Sequence, residues 1–147
     1  HINHSAEFSP RFSPESYRVL NDLIDCGLPM QSQTVLLRGV NDNIEELVSL
    51  FQGLTEIGIK PGYLFQLDPA AGTSHFRVPL KEALELWERV EPKLSGLSRP
   101  QFAADLPGGG GKFPLSALIY SKKIIEQKED LSFSALGMDG VIHKYTY

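Results

Sequence analysis

The sequence predicts an α/β fold, with parallel strands covered by helices and a short antiparallel extension toward the C-terminus. Three observations predict it. Helical and strand-like patterns alternate from residue 13 to residue 104 with short connections, as βα units in one parallel sheet do. The strand-like runs are short and apolar, which suits buried strands. Beyond Lys112 the apolar runs are broken by a charged stretch and by Asp139-Gly140, a strong two-residue hairpin signal.

Each element follows from local chemistry. Ser13 can cap a first helix with Pro14 at its first position, where proline's fixed φ and missing N–H cost nothing. Tyr17, Leu20, Leu23 and Ile24 form its apolar stripe, and Gly27 stops it. Thr34 to Leu37 reads as a buried strand. Asp42 with Glu45 is a capping pair opening a second helix, whose Ile44, Leu47, Val48, Phe51 and Leu54 recur at helical spacing. Gly58 ends it, and Tyr63 to Leu67 form the next strand. A third helix over Leu80 to Leu94 gathers Leu80, Ala83, Leu84, Trp87 and Val90 on one face, and Gln101 to Ala104 make a third strand. Leu115 to Ile124, Leu131 to Leu136 and Val141 to Tyr147 read as strands of the extension.

Parallel strands joined by right-handed crossovers end along one edge of their sheet, where α/β proteins bind ligands. The most unusual residues cluster at those ends: Arg38 to Asp42, Gln66 to Asp68, and Asp105 running into Gly108-Gly109-Gly110-Gly111-Lys112.

Composition narrows the class. A net charge of −4 disfavours a nucleic-acid clamp or a polybasic membrane anchor, since both need a cationic surface. No apolar run approaches the roughly 20 residues that span a bilayer, so neither nucleic acid nor membrane is an expected partner. The reading is a cytoplasmic enzyme or binding domain. A single cysteine, Cys26, rules out an internal disulfide, a structural zinc or a cluster made by this chain alone. His1-Ile2-Asn3-His4 has neither initiator Met nor signal-peptide layout, so the sequence reads as a piece of a longer chain.

The glycine run is the most informative stretch. Four consecutive glycines are costly to order, which implies a ligand or backbone in close approach, and their N–H groups can cradle a phosphate. It is not a P-loop, because Phe113 follows Lys112 where Ser or Thr is required. Lys112 is suited to a Schiff base with an aldehyde cofactor; a flexible loop with a solvated lysine is equally compatible. Asp68 and Asp105 each end a strand, and two carboxylates at one mouth suit an ammonium; each can instead cap a turn. Arg38 can pair with a carboxylate or phosphate or brace Asp42. No metal is expected: His1, His4, His75 and His143 lack a close ligand spacing.

Taken together, Gln33 to Asp42, Tyr63 to Asp68, His75 to Pro79 and Asp105 to Lys112 resemble the lysine 2,3-aminomutase family, with the four blocks in the family's order. The resemblance implies a radical S-adenosylmethionine enzyme that uses pyridoxal phosphate to move the α-amino group of L-lysine to the β-carbon. It implies that Lys112 bonds to pyridoxal phosphate, that Asp68 and Asp105 hold the substrate's ε-ammonium, and that Gln33 and His1 contact S-adenosylmethionine. Paired acids favour lysine, because in the related glutamate 2,3-aminomutase they are replaced. The implied fold is the C-terminal half of a partial (β/α) radical SAM barrel over residues 1–112, with the antiparallel extension over 113–147.

The same resemblance places the C-x-x-x-C-x-x-C ligands of the [4Fe-4S] cluster in a missing N-terminal half, so this piece alone is expected to be inactive. A homo-oligomer is the expected full-length form. Two rivals stand beside it: an aminomutase acting on a protein-bound lysine or another diamino acid, and a non-catalytic α/β domain holding a phosphate-bearing ligand.

Overall fold

The computed structural model describes residues 14–120, 126–127, 133–136 and 140–145. The fold is α/β around a mixed four-stranded sheet. Helix α1 (Pro14–Asp25) begins on its proline, and Ser13, its expected cap, lies outside the described residues. Leu20 and Ile24 pack against the core, whereas Tyr17 is exposed. The stripe is therefore narrower than its spacing predicts.

Strand β1 (Gln31–Leu36) leads through a tight loop to α2 (Ile44–Glu56). The cap of α2 is Asn43 and not Asp42: its side chain accepts the Glu46 N–H. Asp42 instead accepts the Gly39 N–H within the preceding loop. Both residues are good caps, and a one-residue difference in where the chain turns decides between them.

Strand β2 (Lys60–Gln66), helix α3 (Leu80–Val90) and strand β3 (Gln101–Leu106) complete the repeat. Helix α3 stops before Leu94, tightening into a 3₁₀ turn over Glu91–Lys93 that contains Pro92. Proline at that position removes an α-helical hydrogen bond. β1, β2 and β3 are parallel and adjacent, as the βα pattern requires.

The helices cover one face of this sheet. Leu36, Leu64, Phe102 and Leu106 from the strands pack with Leu47, Leu50, Phe51 and Leu54 of α2 and with Ala83, Trp87 and Val90 of α3. Trp87 and Phe102 meet with ring centroids 5.6 Å apart, a tilted pair worth about 0.5–1.5 kcal/mol beyond its buried area.

The chain then departs from the repeat. A 3₁₀ turn (Pro107–Gly109) reverses it into β4 (Gly111–Pro114), which pairs antiparallel with β3. The expected boundary after residue 112 falls inside this strand. The expected strand over Leu115 to Ile124 is a correction: Ser116–Tyr120 is a short helix, α4, whose Leu118 and Ile119 pack against the core. An apolar run of that length cannot by itself separate a strand from a buried helical turn. The extension is an antiparallel sheet of β5 (Glu126–Gln127), β6 (Phe133–Leu136) and β7 (Ile142–Tyr145).

Candidate active site

The C-terminal ends of the parallel strands are pinned to one another. After β1, the buried Asn41 turns its amide back on the strand, accepting the Leu37 N–H and donating to the Val35 carbonyl. After β2, the buried Gln66 donates to the Val78 carbonyl at 2.6 Å, closing the long loop that leads to α3. Arg38 joins the two loops, bonding the Arg77 carbonyl through Nε and Glu82 through Nη2 at 2.8 Å. Its partner is thus Glu82 rather than Asp42.

Strand alternation places the chemistry. With Leu64 and Phe102 on the helix-covered face, the intervening residues point the other way. The register aligns Gln33 with Tyr63, Val35 with Phe65, and Phe65 with Ala103. One strand further, Asp105 aligns with Lys112. On this second face the Tyr63 and Phe65 rings stack at 5.0 Å. The Lys112 ammonium lies over them, 5.2 Å from the Phe65 centroid and 5.9 Å from that of Tyr63.

Lys112 Nζ donates to Asp105 Oδ1 at 3.2 Å, with both side chains partly exposed. Asp105 therefore faces a lysine across the sheet and does not cap a turn. Asp68 follows β2 and belongs to the same electrostatic group. Partial burial of its carboxyl, then the Asp105 carboxylate, raise its pKa above the ordinary aspartate value, while Lys112 pulls it down. Two carboxylates that oppose each other's ionisation, one of them paired with an amine, suit a cation.

The glycine run is a turn with its own geometry. Gly108 and Gly109 have φ of +68° and +86°, which side chains disfavour. Lys112 sits beyond the turn on β4, so the strand and not the loop aims its amine. Gln33 is half-buried on the amine's face of the sheet. His1 and His4 lie outside the described residues. His75 is exposed in a 3₁₀ turn, its ring 4.0 Å from that of Phe76. Among the described residues no group of His, Cys, Asp and Glu could hold a metal, and no helix is long and apolar enough to cross a membrane.

Sequence reasoning missed Asn41 and the aromatic pair. Tyr63 and Phe65 were detectable in principle, since they alternate with Leu64; nothing marked Asn41 as a buried brace.

Comparison with known proteins places the chain as a whole. The whole chain aligns at 52% identity with the "Putative L-lysine 2,3-aminomutase" of Treponema pallidum (strain Nichols), covering 40% of that protein. The chain is homologous to the lysine 2,3-aminomutases. The L-lysine 2,3-aminomutase of Clostridium subterminale is 36% identical over 99% of this chain, which covers 33% of that enzyme. The glutamate 2,3-aminomutase of Clostridioides difficile is 36% identical over 78% of the chain and 26% of its own length. This aminomutase homologue thus spans two fifths or less of these relatives, and the stretch it matches is C-terminal. No family model matches it.

Proposed function

We propose that this chain is the substrate-gripping part of a radical S-adenosylmethionine, pyridoxal-phosphate-dependent aminomutase that converts L-lysine to β-lysine. The observation that carries the reading is the Lys112 amine, held 3.2 Å from Asp105 over the Tyr63–Phe65 pair, beside a second carboxylate, Asp68, that senses both. The parallel strands and their covering helices are, in this reading, part of a partial (β/α) barrel whose interior is the face bearing Lys112.

The residues present fit pyridoxal phosphate: a primary amine on a rigid strand, with aromatic faces alongside it. Lys112 would hold the cofactor covalently. Bound there, it supplies an extended π system that delocalises an unpaired electron beside the amino group being moved. Tyr63 and Phe65 shield one side of the amine from water. Asp105 is satisfied by Lys112 until a ligand ammonium replaces that partner. Asp68 and Asp105 then grip the distal ammonium of the diamine and set the distance from it to the reacting carbons.

The same pair decides the substrate. A carboxylate side chain such as glutamate's would meet two like charges there, whereas an ammonium meets two acceptors. Gln33 and His1 are assigned to S-adenosylmethionine contacts. The [4Fe-4S] cluster does not fit the residues in hand, since Cys26 is the sole cysteine and a cluster takes several thiolates. No step is derived through it, and its ligands are assigned to another part of a longer protein. In this reading that longer protein is a cytoplasmic homo-oligomer.

Reductive trapping tests the assignment. After incubation with pyridoxal phosphate and borohydride, peptide mapping should find the adduct concentrated on Lys112. Equal labelling of exposed Lys60, Lys81, Lys93 and Lys144 would overturn the reading.

A further inference from the structure

One strand of the extension reaches both arms of the site. His143 and Tyr145 stand two apart on β7, so their side chains leave the strand on the same side. His143 is half-buried and Tyr145 fully buried, whereas Ile142 and Lys144 between and before them are exposed.

His143 lies directly on the glycine turn. Its Nδ1 is 2.9 Å from the Pro107 carbonyl, and because a carbonyl only accepts, Nδ1 carries the proton of that bond. A Cβ on the buried Gly110 would come within 2.7 Å of His143 Cγ and 2.8 Å of Cδ2, so glycine is required there for the ring to seat. Tyr145 reaches the other arm: its hydroxyl donates to the Leu67 carbonyl at 3.1 Å, one residue before Asp68.

We propose that His143 and Tyr145 are positioning residues, His143 for the turn that delivers Lys112 and Tyr145 for the segment that presents Asp68. The inference rests on the roles given above to Lys112 and Asp68. The need for such a clamp is physical. A turn rich in glycine has more backbone freedom to lose than any other, and a misplacement of about 1 Å at a reacting group costs roughly a hundredfold in rate. Strand β3 fixes Asp105 through its ladder to β4, but Asp68 follows the end of β2 and has no ladder of its own. The Tyr145 hydroxyl supplies a fixed point beside it.

The test uses the full-length protein and separates the two arms. His143→Ala should speed amide hydrogen exchange across Gly109 to Gly111 and slow reductive pyridoxal-phosphate labelling of Lys112 by roughly tenfold. His143→Asn, whose amide nitrogen can take the place of Nδ1 against Pro107, should restore most of both. Tyr145→Phe should raise KM for lysine by roughly tenfold and leave Lys112 labelling within about twofold of wild type.

Unchanged exchange and labelling in His143→Ala, an Asn variant no better than Ala, or Tyr145→Phe altering both readouts alike would overturn the clamp. Should His143→Ala fail to fold, the two conservative variants carry the test. If Lys112 takes no label even in the wild type, the cofactor assignment falls, and the exchange comparison still decides whether His143 holds the turn.

Discussion

Asp105 and Lys112 are directly opposed across the antiparallel pair β3–β4, their charged atoms 3.2 Å apart. Seven positions separate them in the chain, and the pairing brings an acid at the end of one strand onto an amine near the start of the next. Both side chains remain partly exposed, so as a surface ion pair the contact contributes little to stability. What it fixes is where the amine lies, over the Tyr63 and Phe65 rings.

Lys112→Arg keeps a cation opposite Asp105 but cannot bond covalently to an aldehyde. The variant should fold with a melting temperature within a few degrees of wild type, and borohydride reduction should leave no pyridoxyl adduct at this position. An adduct of wild-type yield elsewhere, with activity retained, would contradict the role of Lys112.

If Asp68 and Asp105 grip an ammonium as proposed, Asp68→Asn and Asp105→Asn each remove half of that grip. A hydrogen bond to a charged group is worth about 1.5–3 kcal/mol, so KM for lysine should rise roughly 10- to 100-fold in either variant. Cofactor attachment should suffer less than KM, most clearly for Asp68→Asn, since Asp68 is not paired with Lys112. Steady-state kinetics alongside quantitative trapping would read the split.

The raised pKa of Asp68 has a definite sign in pH dependence. Its carboxyl binds a proton more tightly in the folded chain than at the ordinary value of 3.8. Stability therefore falls as pH rises from about 3.8 through the raised value. Asp68→Asn should match wild type below that window and be the more stable protein above it, in urea midpoints measured from pH 3 to 7. Lysine affinity should change the opposite way, weakening on acidification through the same window as the carboxylate is lost.

Asn41→Ala should be the costliest polar change near the site. It strands the Leu37 N–H and the Val35 carbonyl in a half-buried corner, each costing up to about 1–3 kcal/mol. Asn43→Ala should lose about 1 kcal/mol as an N-cap, and Asn43→Gly only a few tenths. Denaturant titration that ranks Asn43→Ala above Asn41→Ala would refute this account.

Much of the fold was legible because it rests on periodicity. Leu47, Phe51 and Leu54 recur as a helix face must, and Leu80, Ala83, Trp87 and Val90 do the same; all seven are buried. That Asp105 near the end of β3 and Asp68 just after β2 lie along one edge was legible too, because parallel strands end together, whereas Lys112 meets Asp105 through the antiparallel pair. What escaped was decided by single hydrogen bonds or by tertiary pairing. The choice of Asn43 over Asp42 turned on where one loop closes. The helical turn at Ser116–Tyr120 was set by packing of Leu118 and Ile119 on the core, which an apolar run does not encode. The antiparallel reversal into β4 was hidden because a glycine run announces freedom and not direction.

That reversal makes the site a matter of odd and even. Lys112 points toward Asp105, while its neighbour Phe113 packs into the oily layer beneath the sheet. One residue added or removed between Leu106 and Gly111 would exchange the two, sinking the amine in hydrocarbon and lifting a benzyl group to where it stood. Such an indel changes no charge and deletes no named side chain, yet under the proposed role of Lys112 it would act as losing the lysine does.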